Sequence, residues 1–221
     1  KYFKLVLDLN FMEQEEIWNA ISQPWAEFRL NPIDEVVDFL RDKKGKILDL
    51  GCGNGKHFSS MNGEIYGIDF SENMLKFAKQ IAEKNKLNVN LTKTFAHSLP
   101  FKDNFFDAAI FVAVLHCIPD AKKREKALKE LFRVLRPGAE AFITVWDKNQ
   151  ERFKNSGKES FVPWTYNEKK YMRYYYLYDT QEFLDLLKET GFEIVQLNNS
   201  TNPNGFYSKK NIDVIVRKPI S

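Results

Sequence analysis

The sequence predicts an α/β protein with a doubly wound, mostly parallel seven-stranded sheet that ends in an antiparallel edge hairpin. From residue 46 to residue 146, short apolar segments alternate with longer amphipathic ones, which is typical of successive βαβ units. Two further apolar segments near the end of the chain flank a turn-rich loop, which favours antiparallel pairing. The 221 residues, 43% of them hydrophobic, suffice for one core, and we expect a single domain over 1–221.

The predicted elements alternate in a regular order. We expect strands at 46–50, 64–68, 89–94, 106–114, 140–146, 192–197 and 211–217. We expect a short helical turn at 56–60 and helices at 72–84, 122–135 and 180–189. Gly191 would end the last helix, and the loop 198–206 would join the last two strands. Because each pair of neighbouring parallel strands needs a crossover, this order predicts helices packed against the sheet.

Two amphipathic segments precede the first strand and predict a helical cover over residues 1–41. The first, 12–21, is ended by Pro24 and turns three apolar residues inward: Ile17, Trp18 and Ile21. The second is expected to begin with Asn31 as its cap and Pro32 at its first helical position. Its inward side chains are Val36, Val37 and Leu40.

Composition excludes several classes of protein. The net charge of +3 is too small to indicate nucleic-acid binding by itself. Cys52 and Cys117 form no CxxC pair and the three histidines lack ligand spacing, so we expect neither a zinc site nor a disulfide framework. This use of cysteine suits a reducing compartment, and we expect the protein in the cytoplasm. No apolar run reaches the length of a membrane span and no signal-peptide pattern is present, so we expect no membrane association.

The glycine-rich turn after the first strand reads Asp49-x-Gly51-x-Gly53-x-Gly55. A dinucleotide fingerprint would need glycine at position 56, which is lysine, and a P-loop would need Ser or Thr at position 57. A carboxylate at Asp49 would repel a pyrophosphate but would suit the ammonium of a methionyl group. Asp69, after the second strand, would suit a ribose diol, although a nicotinamide enzyme also uses such an acid. The motif therefore favours an adenosyl cofactor, against glycines that serve packing alone.

Four segments resemble the class I S-adenosylmethionine-dependent methyltransferases. They are ILDLGCGNGKHF, YGIDFSENML, SLPFKDNFFDAAIFVAVLHCI and ALKELFRVLRPGAEAFITVW, within residues 46–146. The resemblance implies a Rossmann-like methyltransferase fold and S-adenosylmethionine held by Asp49, Gly51, Gly53, Asn54, Gly55, Asp69, Phe70, Met74, Phe95, Ala96, His97 and Val112. Many members hold the adenine amino group with an acid where this chain has Phe95, so backbone, stacking and the neighbours Ala96 and His97 would have to serve instead.

Other segments are similar to the tRNA wobble-uridine carboxymethyl methyltransferases. They include IWNAISQPWAEFRLNPIDEVVDFL, AVLHCI, VWDKNQ, SFVPW and MRYYYLYDTQEF. The resemblance implies methyl esterification of 5-carboxymethyluridine in the tRNA anticodon loop, and a heterodimer with a small zinc-binding activator subunit. Strand 89–94 is a candidate edge for docking that subunit. In this family a second histidine is common where this chain has Cys117.

Methyl transfer to a carboxylate sets simple chemical requirements. The acceptor is already ionised at neutral pH, so the site needs a guanidinium, a neutral hydrogen-bond donor and aromatic walls rather than a strong base. We expect His116 and Arg29 to be catalytic and the insert 147–179 to form a substrate wall. Trp146, Trp164, Arg173 and Tyr174 would bind the substrate. Each has a structural alternative: a satisfied histidine, a surface arginine, tryptophan packing, or, for MRYYYLY, an ordinary strand.

Basic residues recur on one face of the helix at 122–136: Lys122, Lys126, Lys129, Arg133 and Arg136. Such a stripe, with further basic residues in the insert, could meet RNA phosphates or could be a solvated face. Two other functions stay open on the sequence. The first is a small-molecule methyltransferase acting on a quinone, sterol or carboxylic acid. The second is a non-catalytic adenosyl-binding subunit.

Overall fold

The computed structural model describes residues 13–198 and 210–220. Its strands are β1 (Lys46–Leu50), β2 (Glu64–Asp69), β3 (Val89–Lys93), β4 (Phe106–Val112), β5 (Leu135–Trp146), β6 (Glu159–Tyr166), β7 (Lys169–Tyr176), β8 (Glu193–Asn198) and β9 (Asn211–Arg217). Its helices are α1 (Gln14–Ala20), α2 (Ser22–Phe28), α3 (Asp34–Leu40), α4 (Glu72–Lys84), α5 (Ala121–Val134) and α6 (Thr180–Thr190). Short 3-10 turns span Phe58–Ser60, Leu115–Cys117 and Glu151–Phe153. None of the helices in these ranges has the length and apolarity of a membrane span.

Seven strands form one sheet in the order β3-β2-β1-β4-β5-β9-β8. The first five are parallel to their neighbours, and β9 runs antiparallel to both β5 and β8. The predicted fold class and the antiparallel hairpin at the edge are therefore confirmed. The loop predicted at 198–206 lies, beyond Asn198, outside the described residues. Because β2 and β4 flank β1, the carboxyl ends of these three strands meet at one edge, where open α/β sheets bind ligands.

Helices cover both faces of this sheet, because apolar side chains along its strands point to the two faces in turn. Leu48 and Leu50 of β1 face a cluster that includes Leu128 and Leu131 of α5. Ile47, whose side chain points to the other face of the sheet, packs in the opposite cluster with α3 and α4. Burial on both faces explains why the parallel strands read as continuous apolar runs.

The N-terminal helices differ from their predicted bounds. Pro24 does not end a helix, because the chain turns at Ile21 (φ −94°, ψ 4°) and α2 then carries Pro24 in its first turn, where a missing N–H costs nothing. Asn31 is not a cap and Pro32 is not the first helical residue, since Ile33 occupies the cap position of α3, which begins at Asp34. Trp18 is only half-buried, whereas Ile17 and Ile21 are core residues. We call α1, α2 and the following Arg29 the cover.

The insert predicted at 147–179 contains a β-hairpin that was not predicted as such. Strands β6 and β7 pair antiparallel as a separate two-stranded sheet, so the strand alternative for MRYYYLY holds. Asn167 and Glu168 make the turn with φ values of 48° and 61°, the left-handed region that suits a tight hairpin. Elsewhere β4 stops at Val112 because Ala113 is left-handed (φ 59°), two residues before the predicted end.

Candidate active site

A cavity of about 290 Å³ opens where the carboxyl ends of β1, β2 and β4 meet, beneath the cover. Most of the predicted site residues line it: Arg29, Asp49, Gly51, Gly53, Asn54, Asp69, Phe70, Met74, Val112, His116 and Trp146. The remaining predicted residues do not: Gly55, Phe95, Ala96, His97, Trp164, Arg173 and Tyr174. The cavity also has lining residues that were not predicted, among them Trp18, Trp25, Lys56, His57, Arg152 and Tyr175.

The three glycines of the turn have different roles. A Cβ on Gly51 would lie 2.3 Å from the side chain of Val114, and one on Gly55 would lie 2.5 Å from the ring of Phe58, so these glycines permit close packing. A Cβ on Gly53 would meet no protein atom within 4 Å, although Gly53 lines the cavity. The missing side chain of Gly53 therefore leaves room for a ligand against the main chain.

Two buried acids stand at the inner end of the cavity. Asp49 is 2% exposed and its Oδ2 has no hydrogen-bond partner among the described residues. Burial, reinforced by the charge of Asp69 and opposed by Lys56, raises the pKa of Asp49 to about 8. An uncompensated buried carboxylate is costly, so a ligand that brings a cation would be stabilised here. The ammonium of a methionyl group meets that requirement.

Asp69 is better satisfied than Asp49. Its Oδ2 accepts from the backbone N–H of Gly53 at 2.9 Å, and its Oδ1 accepts from that of Ser71 at 2.8 Å. Burial raises the pKa of Asp69 to about 6, while these hydrogen bonds oppose the rise. Each carboxylate oxygen keeps a lone pair, which a ribose hydroxyl can use. Asp49, Gly53 and Asp69 together thus fit the methionyl and ribose parts of S-adenosylmethionine.

Aromatic rings continue from Asp69 to the side of the cavity. Phe70 lines the cavity and stacks on Phe95, with ring centroids 5.9 Å apart and planes 14° apart. Phe95 is 46% exposed and packs in turn against His97, at 5.3 Å between centroids. Phe95 is exposed, so this side of the site offers a ring for stacking rather than a carboxylate.

His116 is fixed as a neutral hydrogen-bond donor at the opposite side of the cavity. It is fully buried, and its Nδ1 accepts from the backbone N–H of Trp146 at 3.3 Å. Burial, and then the nearby charge of Arg152, lowers the pKa of His116 to about 3. With Nδ1 occupied as an acceptor, the single ring proton sits on Nε2, which has no partner among the described residues. The ring lies beside a stack of Trp146 and Tyr175, whose centroids are 3.9 Å apart.

Arg173 is a buried cation in an aromatic cage. It is 5% exposed, and its guanidinium lies 5.0 Å from the Trp164 ring centroid, 5.4 Å from that of Trp25 and 5.9 Å from that of Trp18. It donates to the hydroxyl of Tyr175 at 2.8 Å. Within residues 13–198 and 210–220 no carboxylate forms an ion pair with it, and its Nε is unpartnered. Arg173 does not itself line the cavity, but its hydrogen-bond partner Tyr175 does, so an anion bound beside Tyr175 would stabilise this buried charge.

Tyr175, rather than the predicted Tyr174, faces the cavity. Side chains alternate along β7, so Arg173 and Tyr175 share one face and Tyr174 lies on the other. The hydroxyl of Tyr174 donates to Glu159 at 2.9 Å, and this side chain is a structural residue of the hairpin. Trp164 reaches the site only through Arg173 and Trp25. The period of two in MRYYYLY would have distinguished the two tyrosines once the strand was recognised.

Two exposed guanidiniums flank the mouth of the cavity. Arg29 lies at the C-terminal end of α2, with its guanidinium 5.2 Å from the Trp25 ring centroid. Arg152 lies 4.2 Å from the centroid of Trp146 and donates to Gln150. Both, together with Arg173, are close enough to the buried Tyr175 hydroxyl to stabilise negative charge there. The outer half of the cavity is therefore cationic and the inner half acidic.

Comparison with known proteins identifies methyltransferases of similar sequence and fold. A family profile described as a methyltransferase domain matches residues 48–143. A Mus musculus protein named tRNA (carboxymethyluridine(34)-5-O)-methyltransferase ALKBH8 is 34% identical over 156 residues, which are 69% of this chain and 22% of that protein. The chain thus spans about a fifth of the length of this relative.

Two further matches cover most of their counterparts. An Encephalitozoon cuniculi protein named as a methyltransferase is 31% identical over 165 residues, which are 72% of this chain and 75% of that protein. The crystal structure of a SAM-dependent methyltransferase from Methanosarcina mazei shares the fold, with a TM-score of 0.69 at 24% identity over 84% of this chain and 98% of that chain. The chain belongs to the methyltransferases, and its fold is that of S-adenosylmethionine-dependent ones.

Proposed function

We propose that the protein transfers a methyl group from S-adenosylmethionine to the carboxylate of 5-carboxymethyluridine at the tRNA wobble position, forming a methyl ester. The observation that carries this proposal is the state of His116, a neutral Nε2–H donor with Nδ1 already occupied. The name of the mouse relative supports the same acceptor.

The hydrogen-bond donors and cations of the site suit a methyl acceptor that is already an anion. A histidine whose pKa is about 3 cannot take a proton from a hydroxyl or amine acceptor near neutral pH. A carboxylate needs no such base, because it is ionised above its ordinary pKa of about 4. It can accept from Nε2 of His116 while Arg173 and Arg29 balance its charge. These cations stabilise the bound acceptor and favour a fixed position for the attacking oxygen.

The bound cofactor supplies an electrophilic methyl group on a sulfonium. One carboxylate oxygen of the acceptor forms the new bond to the methyl carbon as the carbon–sulfur bond breaks. The acceptor loses its negative charge and the sulfur its positive charge, so no proton is released and no base is required. His116 and the arginines hold the carboxylate in line, and the aromatic walls of Trp146 and Tyr175 exclude water.

Exposed basic residues outside the cavity are the proposed contacts to tRNA phosphates. The predicted stripe on α5 is reduced to its lysines. Arg133 donates to Glu130 and Asp103, while Arg136 lies beyond the end of α5, on β5, and pairs with Asp107. Lys122, Lys126 and Lys129 are exposed, as are Lys169 and Lys170 at the start of β7. If they contact RNA, binding weakens steeply with salt, which a small carboxylic-acid substrate would not show.

We further propose that an activator subunit docks on β3 and that the complex acts in the cytoplasm. Strand β3 is an outer strand of the sheet with one neighbour, so its free edge can accept a strand from a partner. Cys52 and Cys117 are free thiols, in keeping with a reducing compartment. Co-expression with the host's small zinc protein tests the docking, and equal solubility and activity without that protein would contradict it.

The decisive experiment uses synthetic anticodon stem-loops and methyl-labelled cofactor. One stem-loop carries 5-carboxymethyluridine at the wobble position, and a matched one carries the neutral 5-carbamoylmethyl group. We expect alkali-labile label in the nucleoside from the first only. Equal labelling of both stem-loops would contradict a carboxylate acceptor. Label in free carboxylic acids but in neither RNA would favour the small-molecule alternative, and cofactor binding without any transfer would favour the non-catalytic one.

A further inference from the structure

Asn54 joins the glycine-rich turn to the cover. It is 4% exposed, and its Nδ2 donates to the carbonyl of Ala26 at 3.2 Å and to that of Arg29 at 3.1 Å. Ala26 lies in the last turn of α2, whose carbonyls lack partners inside the helix, so the amide completes the end of that helix. Because both amide protons are used on protein carbonyls, Asn54 contributes position rather than a donor to a ligand.

Asn19 makes a second connection, from the cover to the loop after β2. Its Oδ1 accepts from the hydroxyl of Ser71 at 2.7 Å and from the backbone N–H of Asn73 at 3.2 Å. Its backbone carbonyl accepts from the side-chain amide of Asn73 at 3.2 Å. The backbone N–H of Ser71 meanwhile donates to Asp69, so this connection ends at the acid expected to hold the ribose.

The two connections meet at Asp69. Gly53, next to Asn54, donates its N–H to Oδ2 of Asp69, and Ser71, which bonds Asn19, donates its N–H to Oδ1. A ligand that fixes this carboxylate therefore fixes both loops to which the cover is attached. The cover in turn supplies Trp18, Trp25 and Arg29 to the cavity.

We propose that Asn54 and Asn19 are positioning residues that couple cofactor binding to closure of the cover. The cofactor tightens the two loops, the asparagines transmit this order to α1 and α2, and Arg29 is then held at the mouth of the cavity. The coupling is reciprocal, so a closed cover must also raise the affinity for the cofactor. It also gives an order of binding, with the cofactor first and the acceptor second.

Amide hydrogen exchange with S-adenosylhomocysteine tests the proposal without an acceptor. In the wild type we expect the ligand to slow exchange across residues 14–29. In Asn54→Ala and Asn19→Ala we expect this protection to be lost and the ligand to bind about tenfold more weakly, the scale of one or two hydrogen bonds. Exchange in α5 should be the same in all variants, which separates lost coupling from general destabilisation.

Gln14→Ala is the matched control, because Gln14 ties the same cover to β7 rather than to a cofactor loop, through Tyr174 and Met172. It should exchange faster in 14–29 with and without ligand, yet keep the ligand-induced protection. Wild-type affinity with full protection in both asparagine variants would overturn the proposal, and so would loss of ligand-induced protection in Gln14→Ala. Since no acceptor is present, these results are independent of whether tRNA is the substrate.

Discussion

The backbone N–H of Trp146 donates to Nδ1 of His116 at 3.3 Å, which leaves Nε2 as the only ring nitrogen that carries a proton. Trp146 ends β5 and His116 lies in the turn after β4, so pairing of two neighbouring strands sets the tautomer. The donor of this bond belongs to the main chain of a paired strand, so only the acceptor ring of His116 is free to move as a side chain. The orientation of this donor therefore depends on the sheet itself.

We predict that His116 acts as a donor and not as a base. His116→Gln keeps an N–H donor of similar reach, whereas His116→Leu removes it. We expect the Leu variant to lower kcat about 100-fold and the Gln variant about tenfold or less. Because the pKa of His116 is about 3, the wild-type rate should show no fall from pH 8 to pH 5.5 attributable to histidine protonation. A loss of rate with a midpoint near 6.5 that disappears in the Gln variant would contradict this role.

Binding of S-adenosylhomocysteine should release a proton from Asp49. In the free protein the pKa of Asp49 is about 8, so the carboxyl is mainly protonated at pH 7. The ligand's ammonium favours the ionised form, so affinity should rise from pH 6 to pH 8 and about one proton should leave at pH 7. Above about pH 8 Asp49 is already ionised in the free protein, so the rise should end. Calorimetry in two buffers of different ionisation enthalpy measures the release.

Asp49→Asn is the control for this proton release. It should bind the ligand more weakly and with no pH-dependent gain between pH 7 and pH 8. Asp69→Asn should weaken binding while most of the release at pH 7 persists, because the pKa of Asp69 is about 6 and little of it is protonated at that pH. Equal proton release by the wild type and Asp49→Asn would assign the proton to another group.

Arg173 should serve acceptor binding rather than stability. A buried guanidinium without an acid is costly, and Met fills a similar volume among the surrounding rings. We expect Arg173→Met to unfold at a free energy within about 1 kcal/mol of the wild type, while KM for the acceptor rises at least about tenfold. Cofactor affinity should be unchanged, as measured by calorimetry.

Arg124→Met provides the contrast on the opposite face of the hairpin. Arg124 is also buried, but its guanidinium donates to the carbonyls of Ile118 and Pro119 and to the hydroxyl of Tyr174. Its loss should lower the free energy of unfolding by about 2 kcal/mol with little change in acceptor KM. The reverse pattern in the two variants would show that Arg173 is structural.

The inner part of the site could be predicted from the sequence because its residues lie at or just after the carboxyl ends of strands that the sequence already indicates. Asp49 lies near the end of β1, Gly51 and Gly53 follow that strand, and Asp69 ends β2, so the parallel pairing of the two strands brings them together. The same holds for His116, which follows β4. The fold class could be predicted equally well, because alternating apolar and amphipathic segments are typical of βαβ units and of few other folds.

The outer part was harder to predict because it comes from segments whose pairing is not local. Whether Tyr174 or Tyr175 faces the cavity depends on recognising β7 as half of a hairpin, and its partner β6 reads as polar and aromatic residues without a strong strand signal. Arg152 reaches the site through a 3-10 turn. The prediction that Pro24 ends the first helix was wrong. Proline breaks a helix when it lies in the helix interior, but here the chain turns three residues earlier, at Ile21, and Pro24 lies in the first turn of α2.

We expect the buried carboxyl group of Asp213 to lower the free energy of unfolding at neutral and higher pH. It lies on β9, fully buried, and neither carboxylate oxygen has a hydrogen-bond partner among the described residues. Burial, with a smaller contribution from Glu35, raises its pKa to about 7 from an unfolded value near 3.8. Below pH 4 both states hold the proton and the effect is absent, whereas it grows as pH rises and is complete above about pH 7. Asp213→Asn should therefore raise the free energy of unfolding at pH 8 by about 2–4 kcal/mol.

Urea denaturation of the wild type and Asp213→Asn at pH 5 and pH 8 measures this contribution. The gain from the substitution should be larger at pH 8, since only there does the folded wild type hold a buried charge. Glu35→Gln is the comparison, because it removes the neighbouring charge and leaves Asp213 in place. It should give a small gain at pH 8 only. A gain of the same size at both pH values in Asp213→Asn would mean that packing, not ionisation, separates the two proteins.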